Sequence, residues 1–128
     1  MAASYGKELS DVDELVQGFQ FEEYTDVLLK ELSTGNQKKA YLITAFALKP
    51  QLLVLDEPVN GLDFQSTEYL YSRINGYRQY GTVLFSSHIL ESICLTSDRV
   101  LVLEEGRIRK RFTGQEIETD KIREVVKE

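Results

Sequence analysis

The sequence predicts an α/β fold, a parallel sheet with flanking helices, on three observations. Apolar stretches of strand length recur at Leu52–Leu55, Thr82–Ser86 and Arg99–Leu103. Segments of helical period lie between them, and strand, helix, strand, helix, strand is the α/β order. The first stretch runs without alternation, which fits a strand buried on both faces. It ends on two carboxylates, Asp56 and Glu57, where ligands of open α/β sheets collect.

Taken in order, Ser10 or Asp11 is placed to cap a short helix with Leu15, Val16 and Phe19 on one face. Gly18 weakens that helix. A second short segment, Phe21–Leu29, groups Tyr24, Val27 and Leu28. Ser33–Lys49 carries the strongest helical pattern. Thr34 and Gln37 fit a capping box, Ala40–Leu48 is almost wholly apolar and so buried nearly all round, and Pro50 is the stop. Lys38 and Lys39 read as a solvated face near its start.

Asp63 caps a helix over Phe64–Tyr80 with Thr67, Leu70, Tyr71, Ile74 and Tyr77 at helical spacing, ended by Gly81. The tyrosines read as packing. Thr82–Ser86 is a second buried strand. The helix after it turns Ile89, Leu90, Ile93 and Cys94 inward, and Arg99–Leu103 is a third strand. Glu104-Glu105-Gly106 is a turn, and Arg107–Phe112 alternates basic and apolar as a half-exposed hairpin partner. Thr113–Glu116 fits a capping box. Asp120–Lys127 is an amphipathic helix, loosely held or packed on a partner.

The 128 residues suffice for one domain with a core, and the 42% apolar content is that of a globular chain. A net charge of −6 argues against nucleic acid as a partner. The longest apolar run, Ala40–Leu48, is too short to span a bilayer. The first ten residues carry no signal-peptide pattern. The single cysteine, Cys94, cannot form an internal disulfide, which points to a reducing compartment, and it reads as core packing.

Two stretches carry candidate chemistry. Adjacent acids at a strand tip can divide the labour, one holding a divalent cation and the other acting as a base on water. The plain alternative is a polar strand exit. The start of the Ser33–Lys49 helix offers backbone N–H groups, a positive dipole end, a glycine at Gly35 and the Ser33 hydroxyl, which suits an anionic phosphate. The plain alternative there is a capped helix without a ligand.

Four motifs in register decide between these readings. LSTGN (Leu32–Asn36), LLVLDEP (Leu52–Pro58), NGLD (Asn60–Asp63) and SSH (Ser86–His88) resemble, in that order, the signature motif, Walker B strand, D-loop and switch histidine of the ATP-binding-cassette (ABC) ATPases. The resemblance spans about Asp11–Gly114. It implies a P-loop NTPase-like parallel sheet, incomplete at its N-terminal strands, with part of a helical subdomain. The division it implies is residues 1–49 as helical subdomain and signature helix, 50–114 as the Walker B, D-loop and switch core, and 115–128 as a C-terminal helix.

The resemblance further implies ATP and Mg²⁺ as cofactors. Asp56 would hold Mg²⁺ through water, Glu57 would orient and deprotonate the attacking water, and His88 would bridge the γ-phosphate and the facing D-loop. Ser33, Thr34, Gly35 and Asn36 would cap the γ-phosphate on the opposite subunit, and Asn60 and Asp63 would contact that subunit. The implied partners are a second ATPase subunit, head to tail, and an integral membrane permease subunit, with the ATPase peripheral on the cytoplasmic face. Thr34 stands where the family has a glycine and Asn36 where it often has glutamine. Ser-Thr-Gly and SSHxLE, here Ser86–Glu91, lean towards an exporter.

One family motif is absent: no GxxxxGK[ST] occurs in the sequence, and that motif cradles the phosphates. Family members are about twice this length, and the expectation is a C-terminal half. In the family the strand bearing the phosphate loop lies between the switch strand and the next one. Without it the chain is expected to be marginal, to swap strands with a second copy, or to rearrange. Two other functions therefore stand beside the transporter ATPase: a non-enzymatic dimerisation or interaction fragment unable to bind ATP alone, and a soluble non-transport ABC ATPase.

Overall fold

The computed structural model describes residues 8–127. The chain forms two compact units that divide between Ser86 and Ser87.

The first unit contains α1 (Glu8–Gly18), α2 (Thr34–Leu48), β1 (Leu52–Asp56), α3 (Phe64–Tyr77) and β2 (Thr82–Ser86). β1 and β2 are parallel, in the register Leu52↔Thr82 to Asp56↔Ser86. One apolar cluster holds the unit together. It joins Leu15 of α1, Phe19 just past its end, Leu42, Ile43 and Phe46 of α2, Leu53 and Leu55 of β1, and Leu70, Ile74 and Tyr77 of α3. Each such buried side chain contributes about 1.5–3 kcal/mol.

The strands are not buried on both faces. Leu53 and Leu55 point into the cluster, whereas Leu52 is 57% exposed, Val54 63% and Leu84 55%. The helices of this unit cover one face of its two-stranded sheet, and the pleat sends alternate residues to the other. An unbroken apolar run therefore sits in a half-covered strand. For the same reason α2 is not buried all round: Leu42, Ile43 and Phe46 face in, while Tyr41 and Leu48 are more than half exposed.

Local chemistry sets the helix ends. Ser33, not Thr34, caps α2, its Oγ accepting the Asn36 N–H at 3.2 Å. Gln37 does not reach back to the cap but donates to the Leu29 carbonyl at 3.0 Å. α2 ends at Leu48, two residues before Pro50, with Lys49 in the left-handed region. α1 already includes Ser10 and Asp11, so neither is its cap. Gly18 is required rather than merely tolerated, because a Cβ there would sit 2.1 Å from the Tyr69 ring. The Phe21–Leu29 segment forms a single 3₁₀ turn at Glu22–Tyr24, and Val27, Leu28 and Leu29 are exposed. α3 stops at Tyr77, before the expected Tyr80. Gly81 serves a close approach, since a Cβ would lie 2.5 Å from the Gln51 carbonyl oxygen.

The second unit contains α4 (Leu90–Thr96), the antiparallel hairpin β3 (Arg99–Glu104) and β4 (Arg107–Thr113), and α5 (Thr119–Lys127). Glu105 and Gly106 both have positive φ, the two-residue turn that suits a hairpin. The expected capping box at Thr113–Glu116 is present. α5 is not loosely attached: Ile122 is buried with Val100 and Phe112 in this unit's own core. Cys94 packs half-buried against that core. Among the described residues β2 and β3 belong to separate sheets.

Candidate functional site at the tip of β1

The tip of β1 is held from three sides. Asp56 ends the strand on its uncovered face, opposite Ser86 at the end of β2. The Ser86 hydroxyl donates to Asp56 Oδ1, and its oxygen accepts the Glu57 N–H at 3.0 Å. Glu57 is the first residue past the strand, with φ +44°. A non-glycine residue in that region is uncommon and costs about 1–3 kcal/mol, so it persists only where its surroundings enforce it. Its carbonyl accepts from the Asn60 N–H at 3.1 Å and from Lys38 Nζ at 3.0 Å. Pro58 is buried at the second position of the turn that the Asn60 bond closes, where its fixed φ is favourable.

The start of α2 lies against the loop that follows. Lys39 Nζ is 3.2 Å from Asp63 Oδ1, and Lys39 is 8% exposed. Gly35 faces the Gly61 carbonyl so closely that a Cβ would be 2.8 Å from its oxygen. The two lysines are therefore not a solvated face. They anchor the signature-like helix to the residues after the acids. Asp63 stands at the N-cap position of α3 without closing a side-chain cap bond. Its carboxyl lies below the usual carboxylate range, chiefly because of the Ser66 hydroxyl and then the Lys39 ammonium. That Ser66 hydroxyl also reaches the Phe19 carbonyl, at 3.3 Å.

Of the residues singled out from sequence, the first unit brings together Asp56, Glu57, Gly35, Asn60 and Asp63. Ser33, Thr34 and Asn36 form the first turn of α2, with Ser33 and Thr34 exposed. The Ser33 cap uses the hydroxyl oxygen as acceptor, so its proton is not spent on the cap. His88 is the second residue of the second unit, exposed, just before α4. Sequence reasoning missed Ser86, Lys38 and Lys39 as site residues. Ser86 lay inside the SSH stretch read for its histidine, and it ends a strand five residues long, as Asp56 does.

Among the described residues no group of three or more His, Cys, Asp or Glu side chains could enclose a metal ion. The tip of β1 nevertheless fits Mg²⁺ as the family implies it. One exposed carboxylate, with one oxygen oriented by Ser86, is the donor set of a site completed by water and substrate phosphates.

A half-covered parallel strand pair with adjacent carboxylates at its tip, beside a capped helix start, is part of an α/β domain. The family model described as "AAA domain, putative AbiEii toxin, Type IV TA system" matches residues 3–93. The protein "Putative ABC transporter ATP-binding protein AlbC" of Bacillus subtilis is 37% identical over 94% of this chain and 51% of its own length. "Ribose import ATP-binding protein RbsA" of Caldanaerobacter subterraneus is 30% identical over 93% of this chain and 24% of its own. The solved "Structure of ATP binding subunit of ABC transporter" superposes with a TM-score of 0.80 at 28% identity, over 98% of this chain and 52% of that one. An ADP- and phosphate-bound dimeric ATP-binding cassette, MJ0796, superposes at 0.73 with 17% identity, over 88% of this chain and 48% of that one, a likeness of fold. The chain belongs to the family of that AAA-domain model, and the relatives that match it are ABC transporter ATP-binding proteins. It spans about half the length of AlbC.

Proposed function

We propose that this chain is the C-terminal half of the ATP-hydrolysing subunit of an ABC transporter. The observation that carries the reading is the held tip of β1: an acid fixed by Ser86, then a second acid in an enforced left-handed conformation, both beside the α2 start. Phosphoryl transfer to water needs positioning and charge neutralisation more than covalent chemistry. Asp56 would hold Mg²⁺, which would supply charge neutralisation for the phosphates. Glu57 accepts the proton of the attacking water and aims it. His88 contacts the γ-phosphate and the facing D-loop. Ser33, Thr34, Gly35 and Asn36 close over the γ-phosphate bound by a second subunit, with Asn60 and Asp63 at that interface. On this reading residues 1–49 belong to the helical subdomain and signature helix, 50–114 to the catalytic core and 115–128 to the C-terminal helix, with residues 1–7 and 128 of that division outside the described residues.

The partners on this reading are a second ATPase subunit and an integral membrane permease, with the ATPase peripheral on the cytoplasmic face. Among the described residues no helix is long and apolar enough to cross a membrane. The exporter sense rests on Ser33-Thr34-Gly35 and Ser86–Glu91 alone. Relatives at 30–37% identity include proteins named for xylose and ribose import, which weighs against it. A second reading, an interaction fragment that dimerises without holding ATP, is favoured for the isolated chain by the uncovered apolar face of Leu52, Val54 and Leu84.

MgATP binding separates the two. The isolated chain should bind MgATP weakly or not at all. The same chain joined to an upstream phosphate-cradling half should bind and hydrolyse it. No hydrolysis by the joined protein would reject the ATPase reading.

A further inference from the structure

We propose that Ser86 is a positioning residue for Glu57 and Asp56, acting with Lys38, and that the two hold the water-activating acid in place through its backbone. This rests on the reading of Glu57 as the group that orients water. A base on a short loop past a strand end is free to swing unless its peptide units are fixed. Here both are. The peptide before Glu57 donates its N–H to Ser86 Oγ, and the peptide after it presents its carbonyl to Lys38 Nζ. The same Ser86 hydroxyl spends its proton on Asp56 Oδ1. One serine therefore sets the orientation of the metal-side carboxylate and the backbone of its neighbour together. The φ of +44° at Glu57 is the conformation these bonds enforce.

Two features make this more than ordinary packing. Ser86 lies on the uncovered face of the sheet, so its hydroxyl fills no gap in the core. Lys38 is a long cation whose head bonds a backbone carbonyl, and it ties α2, whose first turn faces the substrate on this reading, to the acid that acts on it.

The test uses the 128-residue chain itself, by amide hydrogen exchange and backbone chemical shifts in solution. Ser86→Ala should speed exchange of the Glu57 amide about tenfold, the factor for one lost hydrogen bond, while the Val83 and Leu84 amides stay as they were. The Glu57 Cα and Cβ shifts should move away from left-handed values. Ser86→Thr, which keeps the hydroxyl, should restore both. Lys38→Met, on the opposite side of the residue, should shift the Glu57 carbonyl carbon, and it carries the same test if the alanine variant does not fold. Unchanged Glu57 exchange and shifts in Ser86→Ala, or an unchanged carbonyl in Lys38→Met, would overturn the proposal. In the joined ATPase, Ser86→Ala should lower kcat roughly 10- to 100-fold with KM for MgATP little changed, and Ser86→Thr should recover it. A wild-type joined protein without hydrolysis would reject the ATPase reading, while the exchange data would still decide the positioning.

Discussion

Replacing Asp63 by alanine strands the Lys39 ammonium. The Lys39 side chain is 10% exposed and that of Asp63 46%, with 3.2 Å between the charged atoms. Breaking a buried ion pair by removing one partner costs about 3–5 kcal/mol. Water reaches this pair through the half-exposed aspartate and screens it, which brings the expected loss to about 1–3 kcal/mol. The reverse change is milder. Lys39→Met keeps the buried stem and removes the charge, and the remaining carboxylate is re-solvated, so the expected loss is about 1 kcal/mol or less. The double variant should be more stable than Asp63→Ala alone, because it no longer buries an unpaired ammonium. Urea unfolding of the chain, followed by far-UV circular dichroism and tyrosine fluorescence, measures all four proteins. Lys39→Met costing more than Asp63→Ala, or a double variant no better than the sum of the singles, would refute the reasoning.

The acid limb tests the same pair. The Asp63 carboxyl is lowered from 3.8 in the folded chain, so its contribution is fully present above that value and disappears as the pH falls through the lowered one. Asp63→Asn should flatten stability in that window, read from urea midpoints across pH. Gly35→Ala sets about 1 kcal/mol of helix propensity against about 1–3 kcal/mol of overpacking on the Gly61 carbonyl. The net change should therefore be a loss of up to about 2 kcal/mol, and a gain in the urea midpoint would contradict the contact. Leu55→Ala should cost about 2–5 kcal/mol, whereas Val54→Thr on the uncovered face should stay within about 0.5 kcal/mol, by the same unfolding assay. Gly18→Ala should cost about 1–3 kcal/mol by meeting the Tyr69 ring, and less when Tyr69 is also shortened to valine.

The order of the elements was legible because apolar periodicity and punctuation residues set it locally. Thr82–Ser86 is found as read, and the third strand runs one residue beyond Arg99–Leu103, taking Glu104 from the expected Glu104-Glu105-Gly106 turn. Burial of the strands was not legible. An apolar run reports what a strand is suited to, and whether both faces are covered depends on elements distant in sequence; here Leu52 and Val54 remain open. The same limit applies to the lysines. Lys38 and Lys39 look like any polar pair at a helix start, and only the return of Glu57 and Asp63 to that helix gives their ammonium groups partners. Thr34 and Ser33 are equally good caps by type, and one residue of chain geometry chose Ser33. At the site, the acids were visible as residue types at a strand end. The serine and lysine beside them meet Glu57 through its backbone atoms, which carry no residue-type signal, and only the Ser86 bond to Asp56 is side chain to side chain.

The account stands most directly on Glu57→Gln in the joined ATPase, which keeps the size of the side chain and removes its basicity. ATP hydrolysis should fall by roughly 10²- to 10⁴-fold while MgATP binding is retained. Hydrolysis that continues at the wild-type rate would contradict the role given to the second acid at the tip of β1.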